Sequence, residues 1–248
     1  MSIKTVLITG TTSGLGYELL KHYSKSGWNV IAVNRREPDD YKNFKNTNFK
    51  TLDITDSNAV GTLINELRHA EIMPDTFILN AGINKPDNID KFDLLNFQEV
   101  LEVNINGVLT FVAEIQKLNL SGRRIIAISS MSRIVPNPEH LGYHISKFSV
   151  KRLFDLANSN DPGNQYKTVT LGPVRTNLNR YMRPQTKLQK WIFKWLELDP
   201  KKAVKDLSRF FENNRKHKNY PLKALYFFVS VRLFMTFFPI IYLAQRKR

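Results

Sequence analysis

Val6-Leu7-Ile8-Thr9-Gly10-Thr11-Thr12-Ser13-Gly14-Leu15-Gly16 sets an apolar run directly against a glycine-rich turn, and residues 17–23 continue at helical spacing. The order is strand, tight turn, helix. Three glycines permit the sharp reversal, close backbone approach to a ligand and close helix–strand packing, while the helix start offers free N–H groups to an anion. The turn therefore reads as a dinucleotide site. Its spacing is Gly-x-x-x-Gly-x-Gly rather than the commoner Gly-x-Gly-x-x-Gly.

Outward from this turn, strand patterns recur at residues 30–33, 49–53, 76–80, 124–129 and 168–171. Helical patterns lie between them, at 60–67, at 97–118 and from Tyr143 onward. Continuous apolar strands alternating with helices predict a parallel sheet covered on both faces and joined by right-handed crossovers. The expected architecture is α/β: a Rossmann-like, doubly wound parallel sheet in a single domain over 1–219. An apolar, basic C-terminal extension over 220–248 follows it.

At 248 residues and 42% hydrophobic, the chain is long enough to bury a sizeable core. It has no cysteine and only five histidines, none at metal-ligand spacing, so no disulfide, thiolate chemistry or metal site is expected. No basic and apolar leader precedes the first strand, so a cytoplasmic protein is expected. The net charge is +15, and residues 181–248 hold 16 of the 37 Lys and Arg but 4 of the 22 Asp and Glu. That surplus is local, and no nucleic-acid-binding motif accompanies it.

Tyr143-His144-Ile145-Ser146-Lys147 places a phenol and an ammonium four residues apart on one helical face. A neighbouring cation favours the phenolate and draws a tyrosine toward the working pH, which makes the two a candidate acid–base pair. Asn80-Ala81-Gly82 ends the fourth strand, Asn104 lies in Val103-Asn104-Ile105-Asn106-Gly107, and Ser130 stands thirteen residues before Tyr143. With the glycine-rich loop, these motifs resemble, in order over about residues 3–180, the short-chain dehydrogenase/reductase family in its compact single-domain branch. The resemblance implies a catalytic set of Asn104, Ser130, Tyr143 and Lys147. It implies a cofactor site from Gly10, Thr12, Ser13, Gly14, Leu15 and Gly16, Asp53 with Ile54 at the adenine, and Asn80, Ala81 and Gly82. Pro173, Val174 and Thr176 would close over the nicotinamide, with a substrate lid over about 175–198. Tyr143 and Lys147 also belong to the cofactor site.

The pattern departs from the family at Gly172-Pro173, where the usual order is Pro-Gly, and at Ser132, where glycine is common. Both bear on the substrate pocket. The implied chemistry is hydride transfer between a nicotinamide cofactor and a carbonyl or alcohol carbon, with Tyr143 moving the proton. At the end of the second strand, Asn34-Arg35 stands where an NAD enzyme places an acid, so NADP(H) is expected over NAD(H). A cofactor-binding regulator without turnover is the reading from another class; loss of Tyr143 or Lys147 would mark it, and both are present. A soluble sugar or polyol reductase is a further alternative.

Residues 224–244 hold one charge, Arg232, and one proline, Pro239, before Gln245-Arg246-Lys247-Arg248. Arg232 is costly in hydrocarbon and Pro239 interrupts a helix, so an interfacial or half-inserted segment is expected rather than a span, with packing on the core or at a dimer interface as the alternative. Lys187, Lys190, Lys194, Lys201, Lys202 and Lys205 interleave with Trp191, Phe193 and Trp195 upstream. Basic residues beside tryptophans suit an anionic membrane surface, as in steroid-, retinol- and lipid-type members with similar tails. The expectation is an enzyme peripheral on the cytoplasmic face of a membrane from residue 185 onward, acting on an apolar substrate as a homo-oligomer, dimer or tetramer.

Overall fold

The computed structural model describes residues 3–37, 40–134, 139–179 and 186–237. Seven parallel strands form one sheet in the order β3-β2-β1-β4-β5-β6-β7. They are β1 (Thr5–Thr9), β2 (Asn29–Asn34), β3 (Thr47–Thr51), β4 (Thr76–Leu79), β5 (Arg124–Ser130), β6 (Gln165–Leu171) and β7 (His217–Tyr220). This is the doubly wound, Rossmann-like sheet that the alternation of patterns predicts.

Alternation along β1 divides the core. Val6 and Ile8 face one side, with α1 (Gly14–Lys25) and α7 (Pro200–Glu212); Leu7 faces the other, with α2 (Ser57–His69), α4 (Gly107–Lys117) and α5 (Leu141–Asn160). The chain order reverses between β1 and β4, and that gap opens a crevice beyond the strands' carboxyl ends. Of the flanking helices, α2 and α7 are capped by sequence that reads as a helix start. Asp56 accepts from the N–H groups of Asn58 and Ala59 at 2.9 and 3.0 Å, and Asp199 from that of Lys201 at 2.8 Å with Pro200 following it.

Three sequence expectations need correction. The helix expected over 97–118 is α3 (Leu94–Leu101), a π-helical turn over Glu102–Asn106, and α4. Residues from 185 onward do not all form a membrane-facing tail: Ala203, Val204, Leu207, Phe210 and Phe211 of α7 are buried against α1, and β7 extends the sheet beside β6. Lys201, Lys202 and Lys205 are simply the solvent face of that core helix. The division expected at 219/220 falls inside β7.

Beyond β7, α8 (Leu222–Phe237) packs Ala224 against Met131 of the β5–α5 connection and Leu196 of α6 (Lys187–Leu196). Residues 238–248, with Pro239 and the terminal basic cluster, lie outside the described residues, as do 180–185 of the expected lid. Among the described residues, no helix is long and apolar enough to cross a membrane. Phe211→Ala is expected to cost about 3–5 kcal/mol in chemical denaturation, because Phe211 is fully buried in the core. A loss under ~1 kcal/mol would return α7 to the surface.

Candidate functional site

The crevice is a cleft of about 1380 Å³, and its walls collect the expected cofactor residues. Gly10, Thr12, Ser13, Gly14, Leu15 and Gly16 form one side, with Asn34 and Arg35 at the end of β2 and Asp53 and Ile54 after β3. Asn80, Ala81 and Gly82 follow β4, and Pro173, Val174 and Thr176 follow β6. Gly10 and Gly14 have positive φ, +72° and +60°, which favours glycine at both.

Two asparagines hold the glycine-rich turn in place. Asn34 is buried, and its Oδ1 accepts from the Thr11 N–H at 2.6 Å while its Nδ2 donates to Thr11 Oγ1 at 2.8 Å. Asn80 Nδ2 donates to the carbonyls of Thr9 and Gly10 at 3.1 and 3.0 Å, and Thr9 Oγ1 accepts from the N–H groups of Asn80 and Ala81. Asn34 is thus a support of the loop before it is a ligand contact. At the start of α1, Ser13 makes no side-chain cap and no acid sits in the first turn, so the positive helix end stays open to an anion. These features fit a nicotinamide dinucleotide. Asp53 Oδ1 accepts from the N–H and hydroxyl of Thr55 at 3.0 and 2.9 Å, so one carboxylate oxygen shapes its own turn. Arg35 and Arg36 are exposed at the cleft mouth.

Ser130, Tyr143 and Lys147 meet on the cleft wall between β5 and α5. Lys147 Nζ lies 5.6 Å from the centre of the Tyr143 ring and donates to the carbonyl of Ile128 at 3.0 Å. Ser130 Oγ accepts from the Ser132 N–H at 3.1 Å and hydrogen-bonds Tyr143. Ser129 points away, donating to the Lys147 carbonyl at 2.8 Å. The expectation that Lys147 draws Tyr143 down is corrected: burial dominates, pushing the phenol up to about 12 against the opposing Ser130 bond. Burial also brings the Lys147 ammonium down to about 8.

Asn104 stands behind the wall, fully buried in the π-helical turn, whereas Asn106 is exposed and pairs with Glu102. Asn104 Oδ1 accepts from the Ile83 N–H at 2.8 Å, and Nδ2 donates to the Ile83 carbonyl and Ser146 Oγ, each at 3.0 Å. Both amide donors are used, and one Oδ1 lone pair remains on the side of Gly82. A Cβ on Gly82 would stand 3.0 Å from that oxygen and 3.4 Å from Lys147 Nζ, so glycine keeps the space between them.

Asp87 was not singled out in the sequence. It is fully buried, and its carboxylate accepts from the N–H groups of Leu141 and Gly142, both at 2.5 Å, at the very start of α5. Its own N–H donates to the Glu139 carbonyl at 3.1 Å. Asp87 thereby positions the helix that carries Tyr143 and Lys147. The signal was an acid upstream of a helix start, hidden by a separation of 54 residues. Met131, Ile192, Phe193, Leu196, Phe227 and Phe228 form an apolar part of the remaining wall, and Asn88, Asp90, Ser132, Glu139 and Asn177 a polar part. Among the described residues, no cluster of three His, Asp or Glu could hold a metal ion.

The family model for short chain dehydrogenases matches residues 4–187, and the chain belongs to that family. An uncharacterized oxidoreductase of Schizosaccharomyces pombe is 35% identical over 159 residues, 61% of this chain and 53% of that protein. Mitochondrial D-beta-hydroxybutyrate dehydrogenase of Rattus norvegicus is 30% identical over 166 residues, 61% of this chain and 48% of the relative. These matches thus span about half the length of the relatives. Among solved structures, a short-chain dehydrogenase of Burkholderia cenocepacia in complex with NADP superposes with a TM-score of 0.77 at 19% identity, covering 98% of this chain and 97% of that one. A 4-hydroxyisoleucine dehydrogenase complexed with NADH gives 0.74 at 20% identity, over 87% of this chain and 96% of that one.

Burial of Lys147 has a thermodynamic consequence. Its folded pKa lies below the unfolded one, so the folded state disfavours its charge; the penalty is full below about 8 and vanishes above about 10.5. Lys147→Met should therefore raise unfolding stability by ~1–3 kcal/mol at pH 7, with the gain fading toward pH 10. Denaturant titrations of both proteins across that range measure it, and a destabilised variant at pH 7 would show that the Ile128 bond outweighs desolvation.

Proposed function

We propose that the chain is an NADP(H)-dependent oxidoreductase that interconverts a ketone or aldehyde and its alcohol, with Tyr143 as the general acid and base. The observation that carries this reading is the cluster of Ser130, Tyr143 and Lys147 on the cleft wall facing the glycine-rich turn. A nicotinamide cofactor bound in the cleft would supply the hydride chemistry at the reacting carbon. In the reductive direction Tyr143, kept protonated by burial, gives its proton to the oxygen as negative charge develops there. Ser130 donates a hydrogen bond to the same oxygen. The Ser130 hydrogen bond, which opposes the effect of burial on Tyr143, eases the phenolate that remains, and Lys147 Nζ beside the ring is the group suited to hold the ribose hydroxyls. The free lone pair of Asn104 Oδ1 serves a water that returns protons toward Lys147.

The NADP(H) preference is supported at β2. Asn34 is engaged by Thr11 and bears no charge, and the exposed Arg35 beside it suits a 2′-phosphate. The apolar wall supports an apolar or lipid-like substrate. The basic, aromatic α6 supports a peripheral place on the cytoplasmic face of a membrane. Ile145, Phe148 and Leu156 expose an apolar stripe along α5 and support pairing with a second copy of the chain.

NADPH is expected to bind more tightly than NADH, a charge-assisted contact to the 2′-phosphate contributing about 1.5–3 kcal/mol. Titration of both cofactors measures this, and an Arg35→Ala protein with its preference intact would remove the assignment. Tyr143→Phe is expected to lower turnover roughly 10²–10⁴-fold while NADPH still binds. Single-turnover rates on a ketone panel test it; a near-normal rate would exclude Tyr143 as the proton donor.

A further inference from the structure

Two exposed apolar stripes lie beside the mouth of the cleft. On α6, Leu188 and Trp191 are each 66% exposed and Trp195 is 47% exposed, at the spacing of one helical face. On α8, Leu222, Tyr226, Val229 and Leu233 repeat that spacing, with Tyr226 70% exposed. The helices are joined: Lys223 Nζ donates to the Trp195 carbonyl at 2.5 Å and stands 5.0 Å from the centre of its ring. Their opposite faces do different work. Ile192 and Leu196 of α6 and Phe227 and Phe228 of α8 line the cleft.

So many large apolar side chains gathered on adjoining helices mark an interaction surface rather than scattered exposure. Charge identifies the partner. Lys187, Lys190 and Lys194 on α6 and Lys223 on α8 accompany the stripes, and neither helix carries an acid. A second copy applied to this face would set these four cations against the same four, and the α5 stripe offers a copy a separate place. An anionic leaflet satisfies both features, accepting the tryptophans and tyrosine at headgroup depth and the lysines at the phosphates.

We infer that the paired outer faces of α6 and α8 dock on an anionic lipid leaflet. The inner faces of the same helices, which carry Ile192 and Phe227 of the cleft wall, then place an apolar part of the cleft beside the bilayer. This rests on the membrane reading above and assigns it to a surface within the folded domain, distinct from residues 238–248.

Sedimentation of the full chain with phosphatidylcholine vesicles, with and without phosphatidylserine, tests the inference. The intact protein should bind the phosphatidylserine vesicles, and binding should weaken as salt screens the lysines. A Leu188→Ser, Trp191→Ser, Tyr226→Ser protein should bind them roughly tenfold or more weakly. All three side chains are exposed and outside the cleft wall, so its circular dichroism and NADPH affinity should match the parent's. If the triple variant sediments like the parent, this face is not the docking surface, and membrane binding belongs elsewhere in the chain. An intact protein that ignores both vesicles overturns the membrane reading as well. A parent dimer that the triple variant converts to monomer in analytical ultracentrifugation assigns the face to a second copy. NADPH binding is read separately, so failure of the oxidoreductase reading would show there and not in the pellet.

Discussion

No carbon atom fits between Gly16 and the carbonyl oxygen of Gly10: a Cβ on Gly16 would stand 2.0 Å from that oxygen and 2.5 Å from Asn80 Nδ2. This contact sets how closely α1 lies on β1, and through Asn80 it ties the end of β4 to the same turn. The neighbouring contact is nearly as tight, since a Cβ on Gly10 would meet the Ala81 Cα at 2.8 Å. Because β1 and β4 flank the reversal in strand order, their closeness decides where the crevice opens and which side chains can reach it. Close backbone approach, held by the side chains of Asn34 and Asn80, builds that end of the site.

The other end is built by anchoring one helix. Asp87 holds the first N–H groups of α5, Asn104 joins the π-helical turn to Ser146 one turn further on, and Ser129 holds the Lys147 carbonyl. A π turn interrupts regular hydrogen bonding and is commonly kept for a functional reason. Here it brings a fully buried amide between the backbone of Ile83 and α5. With three attachments, the phenol and the ammonium keep their relation although burial works against the charge of each. On the proposed mechanism, pre-organisation of this kind would favour the reacting geometry at some cost to stability.

The sheet and the glycine-rich turn were legible in the sequence because both rest on local signals: apolar runs such as Ile125–Ile128 and glycines at fixed offsets. Tyr143 and Lys147 were legible because helical spacing brings them together without any tertiary knowledge. β7 was not, since His217-Lys218-Asn219-Tyr220 has no apolar run and is a strand only because β6 offers it an edge. α7 was read as basic surface because its lysines are prominent, while the core stripe of Ala203, Val204, Leu207, Phe210 and Phe211 shares the same segment. The effect of burial on Tyr143 was also invisible, because a motif records neighbours and not the loss of water. Asp87 acts across a long separation that no spacing rule reaches.

The account stands on hydride transfer at this cleft, and isotope transfer measures that most directly. The purified chain would be given NADPH deuterated at the transferring C4 position, with a panel of apolar ketones and aldehydes, and the products examined by mass spectrometry. The expected result is one deuterium at the carbinol carbon of at least one alcohol, in a single stereochemical configuration, and its loss in the Tyr143→Phe protein. NADPH that binds but transfers no deuterium to any of these carbonyls, with or without lipid vesicles, would contradict the account and favour a cofactor-binding protein without turnover.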